Sequence, residues 1–485
     1  MTTISSDQIA RIIETVDRRL GEVASSPRPA EASRVRGEEG LEPLGDGIHR
    51  TISDAVAAAR RAQGEYSKLG LAARHRVVES IRSSMLSHAE DLALRAHTET
   101  GLGRYEDKVK KNRLVTTKAP GPEDLEPQAQ TGDEGMVLIE WAPVGLVGAI
   151  TPTTNPTSTI INNTISVVSA GNAVVFNVHP NAKRVSAYNI KLLNQAITAA
   201  GGPADLVTGI PMPTIESAKE LMHHPDIRVL LVTGGPGVVS EALKTDKRAV
   251  AAGPGNPPVV VDETADLERA AAHIVAGASF DNNIICTDEK EVIVVASAAE
   301  RLVRSMERAG AYVLKEHELR RLERVIFTEL GPPGKPGHIN PAWIGQNASK
   351  ILAEIGVTVG DELRLIVAEV PIEHSLVWTE QMMPVLPVAR VPNVDAAIEL
   401  AVRAEHGFRH TAGIHSTNVD TITRMAQAMN CSIFVSNGSF FAGLGEGGEG
   451  YSSFSIASPT GDGLTRPRTF SRPRRVTMVG SLRVV

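Results

Sequence analysis

Five short, nearly unbroken apolar runs, GLVGAI (145–150), AVVFNV (173–178), VLLVTG (229–234), PVVVD (258–262) and EVIVV (291–295), are separated by longer amphipathic stretches. A strand that shows one face to water alternates polar and apolar residues, whereas a strand covered on both faces does not. Unbroken runs spaced by helices therefore predict an α/β fold, with a doubly wound parallel sheet and helices on both faces. The pattern continues more loosely through LRLIVAEV, LPVARV, TAGIHS and SIFVSN, without an exact internal repeat, so two α/β domains are expected. With 485 residues, 42% of them hydrophobic, the chain can bury two or three cores. Ahead of the first run, residues 52 to about 100 read as an alanine-rich, surface helical layer ending at Gly101. The tail RPRTFSRPRRVTMVGSLRVV is basic and then β-rich, and a late strand with no helix after it is a candidate arm for pairing with another subunit.

The first residues are set apart from this pattern. Ile9, Ile12, Ile13, Val16, Leu20 and Val23 recur at spacings of three and four, one stripe of a helix, and Ser5 with Gln8 forms a capping box at its start. From Ala24 to Gly47 the chain is rich in Pro, Gly and charge, the composition of a linker. An apolar stripe on such a tether either folds back on its own domain or docks on another protein.

Fifty basic and 56 acidic residues are spread along the chain for a net charge of −6, so no basic face is available to track nucleic acid. Only two cysteines occur, Cys286 and Cys431, which argues against a disulfide-stapled secreted protein. The N-terminus lacks a signal-peptide pattern and no apolar run approaches a bilayer span, so a cytoplasmic protein is expected, with no membrane partner. No metal is called for.

Cys286 lies in FDNNIICTDEK, between a helical stretch and a strand, with polar neighbours Asp281, Asn282, Asn283, Thr287 and Asp288. That is a turn from which a thiol can enter a cleft, although a lone cysteine often serves as a small buried hydrophobe. Cys431, in MAQAMNCSIFV, has the neighbours of a core thiol. Asn155 stands between Pro152 and Pro156 directly after the strand GLVGAI, where a rigid carboxamide can donate to an oxyanion or simply make a turn. TGGPG from Thr233 follows a strand and opens a helix, so its amides can hold a phosphate, as can those of any tight turn. GLGEGGEG from Gly443 matches a dinucleotide pattern, but no helix follows it and the match is rejected.

Taken in order, TTNP (153–156), INNTISVVSAGNAVVFNVHPNAKRVS, TGGPG, AGPGNPPVVVDETADL, GASFDNNIIC, EQMMPVLPV and FAGLGEGGEGYSSFSIASPTGDG resemble the aldehyde dehydrogenase superfamily over about residues 46 to 485. The resemblance is to its coenzyme-A-acylating branch, the propionaldehyde and acetaldehyde dehydrogenases of bacterial microcompartments. It implies a Rossmann-type cofactor domain, an α/β catalytic domain and a β-rich oligomerisation arm. The expected boundaries are a targeting segment at 1–47, a cofactor domain at 48–262 lending 137–147 to the arm, a catalytic domain at 263–455 and the arm at 456–485. It also implies Cys286 as nucleophile, Asn155 as oxyanion donor, and Thr151, Pro152, Thr153, His179, Pro180, Thr233, Gly234, Gly235, Gly253 and Glu380 as cofactor contacts, Glu380 near the nicotinamide ribose. The cofactor is NAD, with NADP possible, and coenzyme A is the co-substrate. A homo-oligomer, dimer or tetramer, is implied, as is docking of residues 5–24 on a microcompartment shell protein.

Where hydrolytic members usually read ELGGK, with a glutamate that activates water, this chain reads GPGNP from Gly253 to Pro257. Without that base an acyl-enzyme persists until a better nucleophile, a thiol, arrives. The expected reaction therefore gives acyl-coenzyme A from a short-chain aldehyde; the alternative is a hydrolytic enzyme giving free acid. His179 stands where a lysine is usual, and Lys183 and Arg184 either meet a ribose-linked phosphate or form a solvated helix face, the latter being favoured.

Overall fold

The computed structural model describes residues 44 to 483, so the N-terminal stripe and most of the expected linker lie outside the described residues. Four helices come first: α1 (Ile52–Tyr66), α2 (Leu71–Ser87), α3 (Ala89–Thr100) and α4 (Tyr105–Lys118). Helix α1 starts where the Thr51 hydroxyl accepts the Asp54 N–H, and α3 stops at Gly101 in the left-handed conformation. The buried positions of α1, Ile52, Ala55, Val56, Ala59 and Ala62, fall at helical spacing, and most are small enough to bring the helix close to its sheet.

Strands β1 (Gln128–Gly132) and β2 (Gly135–Pro143) form a hairpin, and then the first sheet begins. It comprises β3 (Leu146–Ile150), β4 (Ala173–Asn177), β5 (Val207–Gly209), β6 (Ile227–Thr233) and β7 (Arg248–Ala252), all parallel, in the order β5-β4-β3-β6-β7. The chain leaves β3 through α5 (Pro156–Ser169) and passes from β4 to β5 through α6 (Lys183–Ala199). It then crosses back by α7 (Ile215–His223) to β6 and by α8 (Pro236–Leu243) to β7. The order therefore reverses between β3 and β6, and this is where a crevice opens in sheets of this kind. Every residue of β3, β4 and β5 is buried, which is why their sequences show no alternation.

The second sheet holds β8 (Pro258–Val261), β9 (Glu291–Val295), β10 (Ala311–Val313), β11 (Leu365–Val370), β12 (Val385–Val391), β13 (Thr411–His415) and β14 (Ile433–Ser436). All are parallel, in the order β10-β11-β12-β9-β8-β13-β14, with α9 (Leu267–Ala278) joining β8 to β9. A last strand, β15 (Ser471–Val479), pairs antiparallel with β2, from Ser471 opposite Pro143 to Val479 opposite Gly135. The two α/β sheets and the late β arm agree with the fold read from the sequence.

Three boundaries differ from those expected. The run at 258–262, assigned to the cofactor domain, supplies β8 of the second sheet; a strand buried on both faces carries no sign of which sheet it joins. The arm is narrower at its C-terminal end than 456–485: Ile456–Ala457 and Gly463–Leu464 form a small ribbon tied to the first sheet, with the Thr460 hydroxyl accepting the Ala251 N–H and Arg248 pairing with Asp462. Its other half is 128–143, since Leu146 and Val147 belong to β3. Finally, the end of the expected linker is docked: Gly209 donates its N–H to the Gly47 carbonyl, His49 donates to Gly209, and Asn194 donates to the Asp46 carbonyl. Gly45 and Gly47, both at positive φ, make the turn that allows this.

Candidate active site

A cleft of about 690 Å³ opens at the carboxyl ends of the first sheet's strands, and every site residue named from the sequence lines it. Thr151, Pro152, Thr153 and Asn155 follow β3, His179 and Pro180 follow β4, and Thr233, Gly234 and Gly235 end β6 or follow it. Gly253 follows β7, and Cys286 and Glu380 enter from the segments around the second sheet. Apolar residues close it: Ile285, Leu444, Phe454 and Ile456 among others. Cys431 is not among the lining residues; its thiol donates to the Ile433 carbonyl at 3.0 Å and rests against the second core.

Cys286 follows an unusual turn. Asp281, Asn282 and Asn283 are consecutive left-handed residues, with φ of 45°, 56° and 62°. Asp and Asn tolerate this region better than most side chains, and here each is tied down. Asn282 donates to the Gly345 carbonyl and to Asn347, and Asn283 donates to the carbonyls of Ala278 and Glu289. The turn brings the chain from α9 to Cys286 at the cleft wall. Burial pushes the Cys286 thiol up to about 12, the Glu380 carboxylate adds to the shift and Lys290 opposes it. At rest the sulfur is therefore a thiol. Burial also raises Glu380, against Lys290 and a hydrogen bond from the Gly255 N–H.

Asn155 caps α5, and its side chain is gripped from behind: Lys111, on α4, donates its ammonium to Asn155 Oδ1 at 2.7 Å. Lys111 also pairs with Asp281, as does Lys108 at 3.0 Å, and all three side chains are buried. Asp281 further accepts the Arg104 N–H at 2.6 Å, while its own N–H goes to Asp107, the partner of Arg364. Burial opposes ionisation of Asp281, yet Lys108 and Lys111 hold its carboxyl below the usual range. Burial pulls Lys108 down to about 8, with Asp281 opposing. The sequence reading missed the lysines: in YEDKVKKNRL nearly every position is polar, and such a helix reads as solvated.

On the same loop, the hydroxyls of Thr151 and Thr153 are buried with no hydrogen-bond partner among the described residues. Gly234 donates its N–H to the Ala252 carbonyl, which leaves the first-turn amides of α8, at Gly237 and Val238, in the cleft wall. His179 Nδ1 accepts the Asn181 N–H, so the neutral ring carries its proton on Nε2, and burial favours that neutral form. Lys183 and Arg184 do not line the cleft: Lys183 reaches Met212, and the Arg184 and Val185 amides donate to the Glu99 carboxylate. Gly253 and Pro254 lie in the wall, and Gly255 is packed so closely that an added Cβ would sit 2.7 Å from the Cys286 carbonyl oxygen. Among the described residues, Glu380 is the sole carboxylate of the wall.

A cleft at the switch point of a parallel sheet, with glycine turns and orphaned hydroxyls along one side, defines the class of nucleotide-binding α/β enzymes. Within that class the chain belongs to the aldehyde dehydrogenase family, whose sequence profile matches residues 42–318 and 364–463. It is 51% identical over 440 residues to the acetylating acetaldehyde dehydrogenase EutE of Salmonella typhimurium, covering 90% of this chain and 94% of that one. The propionaldehyde dehydrogenase of Rhodopseudomonas palustris, solved with bound CoA and an acylated cysteine, superposes with a TM-score of 0.88 at 46% identity, covering 91% of this chain and all of that one. So does the propionaldehyde dehydrogenase of the Clostridium phytofermentans fucose utilisation microcompartment, with a TM-score of 0.88, 42% identity and the same coverage.

Proposed function

We propose that this chain oxidises a two- or three-carbon aldehyde and passes the acyl group from Cys286 to coenzyme A. The carrying observation is the makeup of the cleft: one cysteine, the Asn155 carboxamide held by Lys111, and Gly253 where hydrolytic relatives place a base. The residues present fit a nicotinamide dinucleotide. Thr151 and Thr153 offer unpaired hydroxyls, the start of α8 offers amides, His179 offers its Nε2–H, and Ile215 and Ala218 supply a flat apolar wall. When bound, that cofactor accepts the hydride leaving the aldehyde carbon.

The protein's own share begins with Cys286, whose sulfur adds to the aldehyde carbonyl carbon while its S–H proton passes to the Glu380 carboxylate. Glu380 is the acid–base group of the wall whose charge is felt at this thiol. The developing oxyanion takes the Asn155 Nδ2–H and the Cys286 backbone N–H, donors aimed in advance and needing no reorganisation. Hydride loss leaves a thioester on Cys286. The coenzyme A sulfur then takes over the acyl group, its thiol proton passing to the departing Cys286 sulfur, which returns to its resting form as Glu380 releases its proton to solvent.

Acyl-coenzyme A is therefore the main product. A general base contributes about 10²- to 10⁴-fold to such a step, so in the absence of coenzyme A free acid should form at least about a hundredfold more slowly. Mass spectrometry of the products with and without coenzyme A measures this. Acid formed at full rate without the thiol acceptor contradicts the acylating reading.

Two further roles belong to the same proposal. The ribbon of β1, β2 and β15 exposes Val476, Met478 and Val479, a surface suited to pairing with a second copy. The stripe at residues 5–24 docks on a microcompartment shell protein and places the enzyme inside; in support, a similar enzyme is named from such a compartment. No helix among the described residues is long and apolar enough to cross a membrane. Deleting residues 1–24 is expected to leave turnover and melting temperature unchanged, while the same segment fused to a fluorescent protein should enter shells in cells that make them. A truncated enzyme that melts several degrees lower would place the stripe on its own domain.

A further inference from the structure

The grip of Lys111 on Asn155 has a direction. An ammonium only donates, so the oxygen end of the carboxamide must face Lys111 and the nitrogen end must face away. Asn155 and its neighbour Thr154 line the cleft, and Lys111 does not. The side turned away from Lys111 is thus the cleft side. There Nδ2 makes one hydrogen bond of 3.2 Å, to the Thr154 hydroxyl, and keeps its second N–H for a ligand.

We propose that Lys111 is the positioning residue of this site: from behind the wall it sets the flip of the Asn155 carboxamide and polarises it, so that the N–H end meets the oxyanion. This rests on reading Asn155 as the oxyanion donor. Lys111 is itself held, because Asp281 draws both Lys111 and Lys108 to one carboxylate. Gly103 makes room for that carboxylate, since a Cβ there would strike Asp281. Because Asp281 also opens the left-handed turn leading to Cys286, a single anchored group sets the nucleophile's approach and the donor's orientation. Charge on Lys111 strengthens the arrangement, since a hydrogen bond from an ion pulls electron density toward the amide oxygen and sharpens the N–H donors.

The test compares two neutral replacements of similar length in the full-length enzyme, assayed with acetaldehyde, NAD and coenzyme A. Both Lys111→Met and Lys111→Gln remove the charge beside Asp281, which keeps Lys108, so they disturb folding alike; only the glutamine keeps an N–H for Asn155. Lys111→Met is expected to lower kcat about 10- to 100-fold with less than a threefold change in aldehyde KM, and Lys111→Gln to recover most of the loss. In an Asn155→Ala background, adding Lys111→Met should cost less than a further threefold, because residues acting as a unit are not additive. Equal losses from Met and Gln, or full multiplicative losses in the double variant, overturn the proposal by making Lys111 a packing residue. An impaired Asn155→Ala beside a fully active Lys111→Met overturns it alone; an Asn155→Ala enzyme with unchanged kcat removes the reading of Asn155 as well. If neither lysine variant folds, Asn155→Asp decides: a carboxylate tied to Lys111 should lose turnover like the alanine variant yet melt no lower than it. A melting point below that of Asn155→Ala counts against the contact.

Discussion

Cys286→Ala loses aldehyde oxidation by at least about 10⁴-fold in kcat, the scale seen when a covalent nucleophile is removed, while Cys431→Ala keeps most of its turnover. The asymmetry comes from placement. Cys286 is brought to the cleft wall by three left-handed residues, whereas Cys431 spends its S–H on the Ile433 carbonyl outside the cleft. Reduced cofactor formed per second, followed by its absorbance, reads the difference. Comparable losses from the two alanine variants would show that Cys286 has no special part in the chemistry.

Asn155→Ala should lower kcat by roughly 10²- to 10³-fold, about 2.7–4 kcal/mol, the usual effect of deleting one oxyanion donor. Aldehyde KM should move far less, because the interaction is strongest when charge has developed on oxygen. Asn155 also caps α5, so melting temperature must be followed in parallel. The cap makes no side-chain hydrogen bond to the helix backbone, and so its loss is expected to be mild for stability. A kcat unchanged by the substitution would reduce Asn155 to a turn residue.

Much of this was legible in the sequence, for reasons particular residues make plain. Runs such as GLVGAI announced strands because both their faces are covered, and the prolines around Asn155 together with the polar FDNNIICTD marked the two loops that meet at the cleft. The same total burial hid which sheet PVVVD joins, since a run without a polar face has no orientation to reveal. Lys111 was hidden for the opposite reason. A lysine adjacent to Lys110 and three residues from Lys108 in a charged helix looks like solvated surface, and only an aspartate 170 positions later makes it an interior residue. Gly45 and Gly47 looked like linker because glycine serves loose and tightly turned chain alike.

The tight packing around Gly253 and Gly255 bears on how such an enzyme could change its trade. A hydrolase needs a carboxylate at the glycine turn, and at Gly253 the first added carbon would stand 3.2 Å from the Pro459 ring, closer than side chains ordinarily tolerate. Pro459 sits between the small strands that tie the C-terminal segment to the first sheet. Gly255, wedged between the Cys286 carbonyl and His410, leaves no second place to put the charge. A carboxylate at either glycine therefore meets crowding that the glycine avoids, so packing as well as chemistry keeps this turn free of a base.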